Sequence, residues 1–443
     1  MKSDYRRKSG FTYPFALGII GGVAALCALL VATSAVAETS LSGESSTMVR
    51  MGETQDGRKL TSLYEYLNLR TETVVGEQGA VSTGLGGWGR VDLRDRSASD
   101  RYTDADLQYG YVSYRGNQNN LLLDAGRQFV AEGVATERVD GVHLRGDLAG
   151  GFGVAAFVGA PVVVETDFKG GDVVYGGRVT HSVPQYYTIG LSALRTDYQS
   201  SRIREESGID LWFHPLKQLD IVGRSSYNSI TSGWMEHAYM ATFNALQNLR
   251  FTADLSSISY KDYFYQTTTK VFILTQGLLD PNEKVFSLGG GVAYTPVENV
   301  NLAVEYRNYA YDIAGTAGYY GGKATFALPE SFMAGLSIHR MDGDNARLQY
   351  MEYRLFASKK LGKADLMVDL SDVAYESPIN GVKNTYCASV GAAYALTDRI
   401  RLSANIDYSK TPDFDRDVTG MVRFTYAFDK QFGTEGGAKS EKK

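Results

Sequence analysis

The chain has 443 residues and a formal net charge of −5, with 44% hydrophobic and 21% charged residues. This composition excludes a disordered chain and a simple hydrophobic membrane protein, and the acidic balance does not attract nucleic acid. The 30 tyrosines, 19 phenylalanines and 48 glycines, against only 9 prolines, favour strands and tight turns over helices.

Residues 1–37 predict an export signal that is removed from the mature protein. An apolar run from 16 to 32 follows a basic N-terminal segment, and the small residues Ala35 and Ala37 come soon after it. We expect cleavage after Ala37; if the run were retained, it could anchor the protein as a single helix. Cleavage leaves Cys387 as the one cysteine of the mature chain, which excludes an internal disulfide and a CxxC metal or redox site.

The chain that follows the signal alternates between apolar and polar residues. In the stretch 297–311, Leu302, Val304 and Tyr306 share one parity, while Glu305 and Arg307 occupy the other. Successive strand residues point to opposite faces, so the pattern predicts strands with one apolar and one polar face. No second apolar run is long enough for a transmembrane helix. The alternation recurs, for example, at 219–224, 332–339, 364–371 and 400–408.

Turn signals divide these segments into hairpins. They recur about every 32 residues, and each interval holds two strands and a second connection. The spacing predicts about 22 strands, an even number that places both ends of the set in the periplasm. The first strand, at 45–53, has the weakest pattern, so that a count of 20 stays open.

We therefore predict an all-β fold for residues 38–432, a transmembrane antiparallel up-and-down β-barrel integral to the outer membrane. Lipid would lie against the apolar faces and water against the polar faces, and the sheet must close because hydrocarbon leaves no partner for an open edge. A soluble sandwich or propeller is the alternative, but it would need more apolar inner positions. The remaining residues, 433–443, form a polar periplasmic tail.

The last strand carries a further signal. VTGMVRFTYAFDKQF (418–432) alternates and ends on Phe432, and it resembles the closing strand that the outer-membrane assembly machinery recognises. The expected partners are therefore this machinery during folding and the lipid bilayer afterwards, with no nucleic acid.

The sequence offers no catalytic or metal-binding motif. The five histidines are far apart and form no HxH or HExxH pair. The glycine clusters at 86–89 and 289–291 lack the lysine of a phosphate loop, and the acidic turn at 413–417 is better explained as a solvated turn than as a calcium site. We predict no catalytic residue, no metal site and no cofactor, and we do not expect an enzyme.

The polar strand faces predict an aqueous lumen lined by both signs of charge, which argues against strong selectivity for anions or cations. The predicted lumen-lining residues are Arg90, Asp92, Arg94, Arg145, Asp147, Asp220, Arg224, Glu305, Arg307, Asp365, Asp369, Arg401, Asp407 and Arg423. The connection 262–284 is too apolar for a free surface loop. It could fold inward as a constriction or plug, touch a partner, or extend its flanking strands above the membrane.

Four segments of the first third of the mature chain resemble a known family. They are GGWGRVDLRD (86–95), LQYGYVSYRG (107–116), LDAGRQFVAEGVATERVDGVHLRGDL (123–148) and GFGVAAFVGAPV (151–162). The family comprises outer-membrane porin-like proteins of anaerobic, metal- and sulfur-metabolising bacteria, including barrel components of porin-cytochrome conduits. The resemblance implies that its recurrent residues pin a loop at 130–140 to the barrel. They are Gly126, Arg127, Gln128, Glu137, Arg138, Asp140 and Gly141.

Two functions remain open from the sequence. The first is a water-filled pore for the passive passage of small solutes; the alternative, implied by the resemblance, is a sheath that houses a multihaem cytochrome in its lumen. The chain has no CxxCH motif and so carries no covalent haem itself. Barrels of about 22 strands are usually plugged, so either loops or another protein should fill the bore.

Overall fold

The computed structural model of the chain describes residues 39–53, 57–75, 79–96, 102–162, 172–198, 201–265, 280–329, 331–413 and 416–432. The predicted export signal and the polar tail lie outside these ranges. So do residues 266–279, the central part of the apolar connection.

The described chain forms 22 strands in one sheet, as the sequence predicts, and the strand with the weakest pattern is fully formed. The strands are β1 (Thr39–Glu53), β2 (Lys59–Val75), β3 (Gly79–Asp92), β4 (Thr103–Gly116), β5 (Leu121–Glu132), β6 (Ala135–Asp147), β7 (Phe152–Pro161), β8 (Val173–Val183), β9 (Tyr187–Tyr198), β10 (Ser201–Leu216), β11 (Leu219–Asn228), β12 (Gly233–Leu246), β13 (Leu249–Ser259), β14 (Lys284–Val297), β15 (Val300–Tyr311), β16 (Gly315–Leu328), β17 (Phe332–Gly343), β18 (Tyr350–Leu361), β19 (Ala364–Ile379), β20 (Val382–Ala395), β21 (Ile400–Lys410) and β22 (Asp417–Phe432). A single α-helical turn, α1 (Tyr260–Tyr263), follows β13.

The sheet closes on itself. Each strand pairs antiparallel with the next in sequence, and β1 pairs with both β2 and β22. Val49 of β1 lies opposite Leu63 on one side and Val422 on the other. Closure gives the backbone groups of the wall a partner on both sides, which a sheet in hydrocarbon requires.

The two rims of the barrel differ in their connections. Connections after even-numbered strands are short, such as 217–218 and 247–248, whereas those after odd-numbered strands include 93–102, 162–172 and 260–283. Strand β1 begins and β22 ends at the rim of short connections. Outer-membrane barrels place short turns in the periplasm, so this rim is the periplasmic one.

The two faces of the wall differ in chemistry. Val304 is 60% exposed and lies on the outer face with Leu302 and Tyr306, whereas Glu305 and Arg307 point into the bore. The buried apolar side chains do not form a central core. Of the twelve buried apolar side chains in the described residues, six form one cluster on the inner wall. Among the residues that the structure describes, no helix is long and apolar enough to cross a membrane.

Candidate functional site

The segment 130–140, expected to be a loop, is the end of a β-hairpin that folds into the bore. Strand β5 continues to Glu132 and β6 begins at Ala135, with Gly133 and Val134 as the turn. The backbone N–H of Val134 donates to Ser192 Oγ at 2.9 Å, and Ser192 lies on the inner face of β9. The tip therefore rests three strands beyond β6, across the inner wall. We call residues 126–141 the infolded hairpin.

Two glycines allow the hairpin to leave the plane of the wall. Gly126 has φ of 122°, a conformation that L side chains rarely adopt, and it lies directly opposite Gly141. A Cβ at Gly141 would overlap the carbonyl oxygen of Val158 on the neighbouring strand. The bend thus occurs at the one cross-strand pair of the hairpin that has no side chain on either strand.

Apolar side chains hold the hairpin against the wall. Val130, Ala135 and Val139 of the hairpin pack with side chains of β7, β8 and β9, and all of them are at most 4% exposed. Burial of a valine-sized side chain stabilises a structure by roughly 1.5–3 kcal/mol. The partners on the wall are Phe157, Val174 and Leu194.

Charged side chains tie the opposite face of the hairpin to β4. Arg127 donates twice to Asp140, at 2.7 and 2.8 Å, in the paired geometry that gives the strongest arginine–carboxylate contacts. Arg138 donates to Asp106 of β4 at 2.7 Å, and Arg127 lies 3.6 Å from the same carboxylate. Beside them, Phe129 is 64% exposed and faces the bore.

A second network of charged side chains holds the tip of the hairpin on the side that faces the wall. Glu132, nearly fully buried, lies 3.2 Å from Nε2 of His143 and 3.9 Å from Arg178. His143 Nδ1 lies 3.3 Å from Asp124, and Arg178 also pairs with Asp210 of β10. A buried carboxylate is costly unless it is paired, so this network favours the infolded position over one in which Glu132 is left alone.

The first residues of the apolar connection join the same structure. Glu137 of the hairpin pairs with Arg204 of β10, which donates to Glu206 at 2.6 Å. Tyr265, just after α1, donates to Glu206 at 3.3 Å. The described start of this connection therefore leans toward the inner wall. The flanking strands are not extended into it, since β13 ends at Ser259 and β14 begins at Lys284.

The structure places most of the predicted lumen-lining residues on the inner face. Arg94 differs, because β3 ends at Asp92 and Arg94 is exposed in the following connection. The inner-face residues are Arg90, Asp92, Arg145, Asp147, Asp220, Arg224, Glu305, Arg307, Asp365, Asp369, Arg401, Asp407 and Arg423.

Many of these charges are neutralised by neighbours that the sequence reasoning did not single out. Arg224 lies 2.7 Å from Glu236, and Arg307 lies 2.9 Å from Asp254. Glu236 has the same parity as Arg224 on the adjacent strand, so strand alternation together with register could have identified it, whereas Asp254 lies on β13, two strands away from Arg307. The missed residues that fix the infolded hairpin carry no such signal, because none of them is paired in register with the hairpin. They are Asp106, Ser192, Arg204 and Asp210.

The family-pattern residues converge on the infolded hairpin. Gly126 and Gly141 form its bend, and Arg127, Arg138 and Asp140 form its bore-facing ion pairs. The other two are Gln128, which is buried beneath the bend, and Glu137, which pairs with Arg204. Within the described ranges, no three histidine, cysteine or acidic side chains are grouped to hold a metal ion.

An apolar outer face around a charged bore is the arrangement of a barrel that spans a bacterial outer membrane. Large apolar side chains such as Leu191, Leu355 and Ile406 are exposed on the outside, where only lipid can cover them. The protein is therefore an integral outer-membrane β-barrel.

Solved structures of other outer-membrane proteins are similar to this chain, and the one with a TM-score above 0.5 supports the fold. No family model and no curated protein matches the chain. A structure of the ferric enterobactin receptor PfeA from Pseudomonas aeruginosa is similar over 88% of this chain and 80% of its own, with 10% identity and a TM-score of 0.53. Acinetobacter baumannii OccAB4 matches over 90% of this chain and 99% of its own, with 9% identity and a TM-score of 0.44. At these identities the likeness concerns the fold alone.

Proposed function

We propose that the protein is a porin-like channel through which small hydrophilic solutes diffuse across the outer membrane, and that the infolded hairpin sets the width of its bore. The observation that carries this proposal is the bore itself. Its wall presents charged side chains of both signs to water, and the infolded hairpin lies inside it, packed against the wall.

A barrel of 22 strands needs some filling element, because an open lumen of that width would leak metabolites. The infolded hairpin narrows the lumen but does not close it. It covers the inner face of β7–β10 and leaves the inner face of β11–β22 uncovered. The same position bears on the cytochrome sheath, because such a partner would have to share the bore with Phe129 and the ion pairs around it. The hairpin therefore favours a channel over a sheath.

Conductance of the purified protein in a planar bilayer tests the proposal. We expect stepwise, ohmic currents without any added protein, and a reversal potential near zero in a salt gradient because both signs of charge line the bore. A folded barrel that conducts nothing until a haem-containing partner is added would contradict the channel.

The cysteine at position 387 provides a probe of the bore. Cys387 is exposed and lies opposite Ser371 and Ser409 on the inner face. We expect a negatively charged methanethiosulfonate reagent to reduce the single-channel current in the wild type, because it adds bulk and charge to the wall. The Cys387→Ser variant should be unaffected. An unmodified thiol in a conducting channel would show that solute does not pass this part of the wall.

A further inference from the structure

Five tyrosines form a patch on the inner wall near the rim of long connections. Three of them lie in one row across β16–β19, where the pairing runs from Tyr319 through Met341 to Tyr350 and Tyr375. Tyr309 and Tyr311 of β15 stand beside this row, with ring centroids 6.0 Å apart and planes 17° apart. We call the five tyrosines the tyrosine ledge. All are half-buried, so that part of each ring remains open to the bore.

A row of acidic and imidazole side chains lies directly below the ledge. Glu305, His339 and Glu352 follow one another in register, with Gly321 between the first two. Nε2 of His339 lies 3.0 Å from Glu305, and its ring stacks on Tyr319 with centroids 5.0 Å apart. A Cβ at Gly321 would overlap the ring of His339, so the glycine allows this ring to reach across β16 to Glu305.

The nearby arginines do not neutralise this row. Arg307 is paired with Asp254 at 2.9 Å, and Arg354 is paired with Asp369 at 2.9 Å. Their charges are therefore satisfied by carboxylates outside the row. Glu305 and Glu352 remain beside the tyrosines, and they give the row beneath the ledge its negative charge.

One buried atom of the row lacks a partner. His339 is 6% exposed, and its Nδ1 makes no hydrogen bond. When Nε2–H donates to Glu305, Nδ1 is left as an acceptor. The carboxylate of Glu352 is a second acceptor. Acceptors beside aromatic faces suit a ligand that brings N–H donors and positive charge, and a buried acceptor without a partner is costly.

We propose that the tyrosine ledge and the row beneath it bind small organic cations with N–H donors, such as alkylammonium or alkylguanidinium ions. The site rests on the proposed channel function and names a solute class for it. The cation lies over the tyrosine rings, and its N–H groups donate to Glu352 and to Nδ1 of His339. Weak binding of this kind enriches the solute in the bore and still allows it to leave.

Block of single-channel current by agmatine, an alkylguanidinium with a primary amine, tests the site. We expect agmatine to interrupt the wild-type current, and Glu352→Gln to raise the half-blocking concentration about tenfold, because the variant removes the charge and keeps the shape. The matched control is Glu72→Gln, which removes an inner-face carboxylate on β2, away from the ledge. It should leave block by agmatine within about twofold of the wild type.

Two substitutions of Tyr350 distinguish the contribution of the ring face to cation binding from that of the hydroxyl. Tyr350→Phe should keep agmatine block, whereas Tyr350→Leu should weaken it, because the ring face is what attracts the cation. Two results would overturn the cation site and leave the channel in place. One is that Glu352→Gln and Glu72→Gln change the half-blocking concentration of agmatine equally. The other is that glucose or glutarate blocks the wild-type current as strongly as agmatine does. Absence of current from the wild type would instead overturn the channel itself.

Discussion

Removal of the infolded hairpin is expected to raise the single-channel conductance roughly twofold or more, because the bore of a 22-stranded barrel is wide once nothing narrows it. The variant replaces residues 127–140 by Asn-Gly, so that a two-residue turn joins Gly126 to Gly141. Asn-Gly suits a two-residue connection between antiparallel strands. Conductance in a planar bilayer and uptake of larger sugars into proteoliposomes measure the change. Unchanged conductance in a folded variant would show that the constriction lies elsewhere.

A cross-link provides the control for this deletion. Val134→Cys with Ser192→Cys, in a Cys387→Ser background, joins the tip to the wall where the two residues already contact each other. The oxidised protein should conduct like the wild type, because the hairpin already occupies this position. If oxidation changed the conductance strongly, the hairpin would not occupy the wall position in the conducting protein. The effect of the deletion on conductance would then need another explanation.

Most of the barrel could be predicted from the sequence because lipid and water impose opposite chemistry on alternate residues. Val304 and Glu305 are adjacent in the chain and lie on opposite faces, so a period of two residues is visible wherever one face meets lipid. The same alternation sets the strand count, since each turn signal separates two such segments. Closure then follows from the need to pair every backbone group in hydrocarbon.

The infolded hairpin could not be predicted in this way because neither of its faces meets lipid. Val130 and Glu132 share a parity although one packs against apolar wall residues and the other pairs with His143. On the opposite parity, Phe129 and Arg138 lie across from each other and both face the bore. Without a consistent apolar face the alternation is lost, and the segment resembles a loop.

The charges of the bore were only partly predictable for a related reason. Their parity places them inside, but their effective charge depends on neighbours whose identity requires the register. Glu305 and Arg307 belong to the same strand, yet Arg307 is neutralised by Asp254 of β13, two strands away. The acidic character of the row beneath the tyrosine ledge can therefore be recognised only when the ion pairs across strands are known.

A positive charge on the lipid-facing wall is expected to destabilise the barrel. Val390 is 55% exposed on the outer face of β20, between Val368 and Ile406, which are also exposed. Val390→Arg should lower the free energy of unfolding by about 2–4 kcal/mol, the cost of arginine near the bilayer midplane. Urea titration of the protein refolded in lipid vesicles, followed by tryptophan fluorescence, measures the difference.

The adjacent position supplies the matched control. Ser389 points into the bore, where it donates to Asp407 at 2.6 Å and lies opposite Asp369. Ser389→Arg places the same side chain one residue away, among carboxylates and water, so we expect a change within about 1 kcal/mol. If both variants were destabilised equally, the outer face of β20 would not lie in hydrocarbon, because the penalty depends on which side of the wall the arginine enters.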